Sequence, residues 1–405
     1  MSTSPVANAN PAALIAPLDA TRWAYVGLLL ACGIGASMQV GKVPPALGFI
    51  QRDLHLSLVA GAWVISMFSV VGAALGCLTG SIVDRMGPHR AATGGLFGIA
   101  AASLAGSFAS LPSILLVTRA LEGMAFVMTV VAIPSLLVAS ASDSDRRFVP
   151  ALWGIYMPVG MAISLASAQP ILHAFGWRVL WQVDAVVLLL LACGLLLTPG
   201  PRVVTRGRAL PTLRELLRSV WHPGPLLLGV IFACYTVQYM SVMGFLPTIL
   251  QAQGTSAQAA GLLSALAVMA NAAGNLSVGA LLARGAVPRR LISAACLVMI
   301  VAGAGIYLQA LPATLRYVLV VTLAGVGGLI PASLFALVPR VAQDRQSTAT
   351  TMGFVVQFSH IGQLAGPPAV AAVAAAAGGF QLSALVLVPA ALGALLAARG
   401  LRRVS

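Results

Sequence analysis

Apolar stretches long enough to cross a bilayer follow one another from residue 23 to residue 399, and this recurrence constrains the fold more than any single residue does. A span needs ~20 apolar residues. Twelve can be laid along the chain, at about 23–41, 58–80, 91–110, 113–139, 148–171, 178–198, 223–250, 258–283, 290–310, 316–340, 349–373 and 380–399. Charged residues make up 8% of the chain and hydrophobic ones 59%, with a mean hydropathy of +0.97. Soluble domains are roughly 25% charged, so the composition predicts an integral membrane protein. Only helices satisfy their own backbone in lipid when no barrel closes. The expected fold class is therefore an all-α membrane protein with twelve transmembrane helices.

The chain has 23 basic residues against 9 acidic ones, a net charge of +14. Twelve spans place eighteen of the 23 on one side, from Arg22, Arg85 and Arg90 through the 199–222 interval to Arg402 and Arg403. Lys42, Arg52, Arg178 and Arg316 fall on the other side or its border, and Arg119 stands alone inside a span. The positive-inside rule then puts both termini in the cytoplasm of a bacterial-type inner membrane, with contact to anionic inner-leaflet lipid as a further use of the charge. Nucleic-acid binding would need arginines gathered on one face with aromatics between them, and they are scattered. Residues 1–21 lack a positive n-region and read as a short disordered cytoplasmic tail rather than a cleavable signal. Cys32, Cys77, Cys193, Cys234 and Cys296 all fall in spans without metal-ligand spacing and read as small apolar residues.

Residues 199–222, with Pro199, Pro201, Pro211 and five arginines, are the one long hydrophilic interval. They read as a cytoplasmic linker between two six-helix bundles, 22–198 and 223–405. The halves correspond at an offset near 200 residues: Gly61 with Gly261, Gly80 with Gly279, and the run ending at Arg90 with Arg284 to Arg290. This points to an internal duplication, in which the second copy lacks the acid that Asp84 supplies. Two parallel six-helix repeats around a midplane site suit alternating access.

Between the second and third spans lies Gly80-Ser81-Ile82-Val83-Asp84-Arg85-Met86-Gly87-Pro88-His89-Arg90. Gly80 and Gly87 allow close helix approach and a tight turn. Asp84 can face a helix N-terminus, while Arg85 and Arg90 can grip carbonyls or carboxylates. The run resembles the loop between helices two and three of the major facilitator superfamily of secondary transporters, G-x-x-x-D-R-x-G-x-x-R, with every fixed position filled. That resemblance implies a latch on the outward-open state, with Asp84 near Ser347 and Thr348. Ordinary topology-setting charge is the alternative reading.

Arg119 and Glu122 lie three apart on one face of the fourth span and can pair, which lowers the cost of either charge in hydrocarbon. Arg119-Ala120-Leu121-Glu122-Gly123 also resembles the superfamily's fourth-helix segment, which implies a role in coupling or substrate charge. His360 shares a face with Gln357 and Gln363 and can be a proton or substrate ligand or a packing residue. Tyr156, Tyr235, Gln238, Asn271 and Asn275 sit at mid-membrane depth and either line a cavity or join helices by hydrogen bonds. Asp184 is expected to pair with Arg178 at an interface. Lys42, before Pro44-Pro45, is expected to snorkel at the outer boundary. Gly154, Pro158 and Gly160, and Gly362, Gly366, Pro367 and Pro368, put bending points in spans five and eleven.

The stretch Phe245 to Leu250, the run from Gly261 to Leu282 and Trp153-Gly154 are similar to bacterial cyanate and nitroimidazole permeases. The expectation is a secondary transporter, acting as a monomer without a cofactor, that moves a small anion or neutral polar molecule and is coupled to protons. A proton-driven drug efflux antiporter is the alternative, since such antiporters share the Asp84 loop and the Arg119 segment. No G-x-x-x-x-G-K-[ST] loop is present, and the histidines at 55, 89, 173, 222 and 360 are dispersed. A pump, a membrane-embedded enzyme or a receptor is disfavoured accordingly.

Overall fold

The computed structural model describes residues 19–146, 148–201, 220–342 and 348–401. Residues 1–18, most of the expected linker (202–219) and Ser347 lie outside the described residues.

The described chain is all helical. α1 runs through Trp23–Gly41 and on into Val43–Asp53. α2 spans Leu58–Met86, with a 3₁₀ turn at Met67–Ser69. Then come α3 (Pro88–Ser107) and α4 (Pro112–Ser140). α5 (148–175) and α6 (177–197) are separated by Gly176 alone, whose φ of 79° and ψ of 178° break the helix. The remaining helices are α7 (Pro223–Ala252), α8 (Ala257–Ala283), α9 (Pro288–Gly305), α10 (Ala313–Val341, broken at Gly328), α11 (Thr348–Ala377) and α12 (Ala384–Gly400). Nine helical stretches are long and apolar enough to cross a membrane, one of which is the α5–α6 pair. α3 and α11 complete the twelve; their Gly, Ser and Gln content lowers their hydropathy.

The first span is longer than expected. The apolar run ends near residue 41, yet Lys42 is helical (φ −73°, ψ −30°) and its N–H bonds the Met38 carbonyl, so the helix continues through Pro44 and Pro45. Two missing N–H groups are tolerated in what amounts to the first turn of the extension.

Small residues set the helix crossings. A Cβ at Gly123 would lie 1.7 Å from the Phe68 carbonyl oxygen, and one at Gly274 would lie 1.8 Å from that of Gly325. These glycines bring α4 against α2 and α8 against α10, as expected where lipid supplies no hydrophobic drive and close packing must do so. Large apolar side chains cover the outside, among them Leu190, Leu197, Val301, Leu385 and Leu396. They meet lipid tails in a multi-pass membrane protein.

Helices before and after the linker meet through α2 with α11, α5 with α8, and the α1 extension with α7. The α5–α8 contact is tight where a Cβ on Gly261 would stand 2.5 Å from the Leu165 carbonyl. Gly61, its counterpart by sequence offset, packs instead on Leu47 and Gln51 of α1. The two glycines thus touch different kinds of neighbour.

Gly123→Ala should destabilise the protein, because overpacking costs ~1–3 kcal/mol and here the clash is with backbone. Gly80→Ala, where a Cβ meets nothing within 4 Å, should not. Apparent unfolding temperatures in detergent check the ordering.

Candidate functional site

Four charged side chains from three helices are buried together: Lys42 of α1, Arg119 and Glu122 of α4, and Asp184 of α6, none more than 2% exposed. Arg119 and Glu122 form an ion pair through Nη1 and Oε2. The other carboxylate oxygen, Oε1, takes Lys42 Nζ at 3.0 Å. Lys42 also donates to Gln39 Oε1 and to Ser103 Oγ, the latter at 2.9 Å, and lies 4.3 Å from the centre of the Trp181 ring. Arg119 donates Nε to the Val64 carbonyl and Nη1 to the Gln39 carbonyl, both at 3.1 Å, and sits over the Phe68 ring. Ser103 passes its own proton to the Trp181 carbonyl. Every donor placed against an ion removes part of the cost of burying it.

This overturns two expectations. Lys42 does not snorkel; the continuation of α1 carries it into the interior, where it is 0% exposed. Asp184 is not the partner of Arg178. Arg178 pairs with Asp53, which also accepts from Trp177 Nε1 at 3.0 Å, and this clasp ties the tip of α1 to the start of α6. Asp184 lies one turn beyond Trp181 on the buried face Trp177–Trp181–Asp184–Leu188.

A second polar set joins α2 to α11. Gln357 Nε2 donates to the Ala73 carbonyl at 2.7 Å, and its Oε1 accepts from the Cys77 N–H at 3.3 Å. Gln363 accepts Ser66 Oγ on its carbonyl and Ser69 Oγ on its side chain, at 3.1 and 3.0 Å. His360 lies between them against Gly72, where a Cβ would stand 2.5 Å from its ring. Its Nδ1 is buried without a partner. The three-residue spacing thus places Gln357, His360 and Gln363 against one helix, in a groove made by Gly72 and Gly76 of α2.

The remaining polar residues are spread over separate helix contacts. Asn271 Nδ2 donates to Tyr235 Oη at 2.8 Å and to the Ala324 carbonyl at 2.9 Å, knitting α8 to α7 and α10. Asn275 is half-buried one turn on, beside Gly328. Gln238 bonds back to the Cys234 carbonyl and leaves its Oε1 buried and unpaired. Tyr156 stacks on Trp153 at 4.0 Å, and Trp153 in turn fills the space over Gly33 of α1.

The turn between α2 and α3 is made at Gly87, whose φ of 83° is open to glycine at no steric cost. Among the described residues a Cβ on Gly80 would meet nothing within 4 Å, whereas Gly353 of α11 packs on Cys77 one turn earlier. Asp84, Arg85 and Arg90 are exposed, and among the described residues Asp84 has no ion pair or hydrogen bond. The residues that sequence reasoning left out of the charged set, Gln39, Lys42, Ser103 and Asp184, had one usable signal: Asp184 continues the buried i, i+4, i+7 face of two tryptophans.

Glu122→Gln should destabilise strongly, because it leaves Lys42 and Arg119 as buried cations with Asp184 alone to answer both. Removing one partner of a buried pair costs on the order of 3–5 kcal/mol. Adding Lys42→Met to Glu122→Gln should restore part of the loss in thermal unfolding, and a double variant no better than the single one would contradict the assigned pairing.

Comparison with known proteins places this architecture. The Major Facilitator Superfamily pattern matches residues 28–367. A bacterial homolog of the human lysosomal transporter Spinster, solved inward-facing and unoccupied, superposes with a TM-score of 0.74 over 94% of this chain and 98% of that one, at 15% identity. The puromycin resistance protein pur8 of Streptomyces alboniger is 30% identical over 187 residues, 45% of this chain and 37% of its own. The multidrug efflux pump LfrA of Mycolicibacterium smegmatis is 32% identical over 164 residues, 40% of this chain and 32% of its own. The arabinose-proton symporter of Escherichia coli K12 is 25% identical over 191 residues, 46% of this chain and 40% of its own. The match thus spans under half the length of each of these curated relatives. None of the three is a cyanate or nitroimidazole permease. Twelve helices with this packing and a family match over residues 28–367 leave one assignment: the chain belongs to the Major Facilitator Superfamily.

Proposed function

We propose that the protein exports drug-like organic molecules from a bacterial cytoplasm in exchange for protons, rather than moving the small anion or neutral solute favoured by sequence alone. The observation that carries the reading is likeness to two proteins named for drug resistance and drug efflux, at 30% and 32% identity. The buried charged set supports the proton half of it: two carboxyl groups, Glu122 and Asp184, lie deep in the bundle beside the cations Lys42 and Arg119. In this reading both termini and the arginine-rich end face the cytoplasm, and the bundles 22–198 and 223–405 rock about the α2–α11 and α5–α8 contacts. The cytoplasmic latch of Gly80, Asp84, Arg85, Gly87 and Arg90 then makes and breaks its contacts as the bundles rock. His360 and Gln357 of α11, packed on α2, belong to the moving contacts between the bundles, whereas the Tyr235–Asn271 pair ties helices within the second bundle.

Sugar–proton symport is the second reading, favoured by the likeness to the arabinose-proton symporter. Purified protein in liposomes with an imposed pH gradient separates the two. Ethidium or puromycin should accumulate on the side from which protons leave, and a protonophore should abolish the accumulation. Arabinose or a nitroimidazole moving while ethidium, puromycin and lincomycin stay put would sink the export reading.

A further inference from the structure

The charged set holds two carboxyl groups in unequal circumstances. Glu122 receives both cations. Asp184, 2% exposed, receives no hydrogen bond from any described residue, and its Oδ2 is buried without a partner. It nevertheless lies within electrostatic reach of Lys42, Glu122 and Arg119.

Lys42 explains the inequality. An ammonium has three hydrogens to give, and here all three are committed, to Gln39 Oε1, Ser103 Oγ and Glu122 Oε1. Arg119 is engaged through Nε and Nη1 with the Val64 and Gln39 carbonyls and Glu122, and it donates no hydrogen bond to Asp184. Neither cation donates to Asp184 as placed, and Lys42 can do so only by giving up one of its three bonds. A bare carboxylate in an apolar interior is the costly form, and a carboxyl carrying its own proton is the affordable one.

We infer that Asp184 is a proton-binding site of this transporter, holding its proton at the carboxyl in the form described here, and that Lys42 is a shared ammonium that serves Glu122 or Asp184 but not both. When Asp184 loses the proton to water, Lys42 Nζ turns from Glu122 Oε1 to the new carboxylate, and Glu122 keeps Arg119. When Asp184 gains a proton, Lys42 returns. One O–H bond forms or breaks and nothing is oxidised or reduced. The charged groups within electrostatic reach of Asp184 are Lys42 from α1 and Arg119 and Glu122 from α4; Arg178 is engaged with Asp53. The consequence for transport rests on the proton-coupled reading above, while the protonation itself does not.

Infrared spectroscopy of the full-length protein in liposomes tests this without a substrate, so a failed drug assay and a failed protonation assay are told apart. Near neutral pH the wild-type protein should show a protonated carboxyl C=O band that shifts when aspartate, and not glutamate, carries carbon-13 in its side-chain carboxyl. The band should be lost in Asp184→Asn. Because the isotope experiment uses the unaltered protein, a variant that folds poorly does not blunt it. A band that follows the glutamate label, or no protonated-carboxyl band at all near neutral pH, would overturn the proposal.

Discussion

One carboxylate shared by two cations in the middle of a hydrocarbon-embedded bundle is the interaction on which the first six helices depend. Glu122 gives Oε1 to Lys42 and Oε2 to Arg119. Arg119 carries the bond on to backbone carbonyls of α1 and α2, and Lys42 carries it to α3 through Ser103. A single acid thereby reaches four helices. Ions at this depth are expensive unless paired and fully hydrogen-bonded, so the surrounding sequence is built to satisfy them. Gly123, next to Glu122, lets α4 press on α2 until the Phe68 carbonyl is in contact, which keeps Val64 within reach of Arg119. The Trp181 and Phe68 rings close the two cations from the sides.

The contact between α2 and α11 works on a different principle. No ion crosses it; amide side chains of α11 bond backbone carbonyls and an N–H of α2, in a groove that exists because Gly72 and Gly76 have no side chains. Such bonds are individually modest in membranes, commonly below about 2 kcal/mol. That makes the seam strong enough to define a register and weak enough to be remade during a conformational cycle. His360, with a ring nitrogen buried and unpaired in the same seam, is the one member whose hydrogen-bonding capacity is left unused.

The fold was legible because hydropathy is written at the scale of whole helices. Twelve apolar runs appear in the sequence and twelve helices in the structure, with the difference that the first helix continues past the end of its apolar run, through Pro44-Pro45 to Asp53. The charged turn was legible because its spacing is fixed. The charged set was legible only in part. Arg119 and Glu122 are neighbours on one helix, so their pairing follows from spacing, whereas Lys42 and Asp184 reach them from helices 80 and 62 positions away in sequence. No local pattern announces such a meeting. Asp184 was misassigned because Arg178 is near it along the chain, while Arg178's true partner, Asp53, lies 125 residues away.

The one-residue junction at Gly176 gives α5 and α6 a mechanical relation. α5 carries Leu165, whose carbonyl abuts Gly261 across the seam with α8, and α6 carries Trp181 and Asp184 into the charged set. With no loop between them to absorb slack, a displacement of α5 at that seam is handed to α6 as a lever hands on a stroke. The place of Asp184 in the charged set is then tied to the seam between α5 and α8.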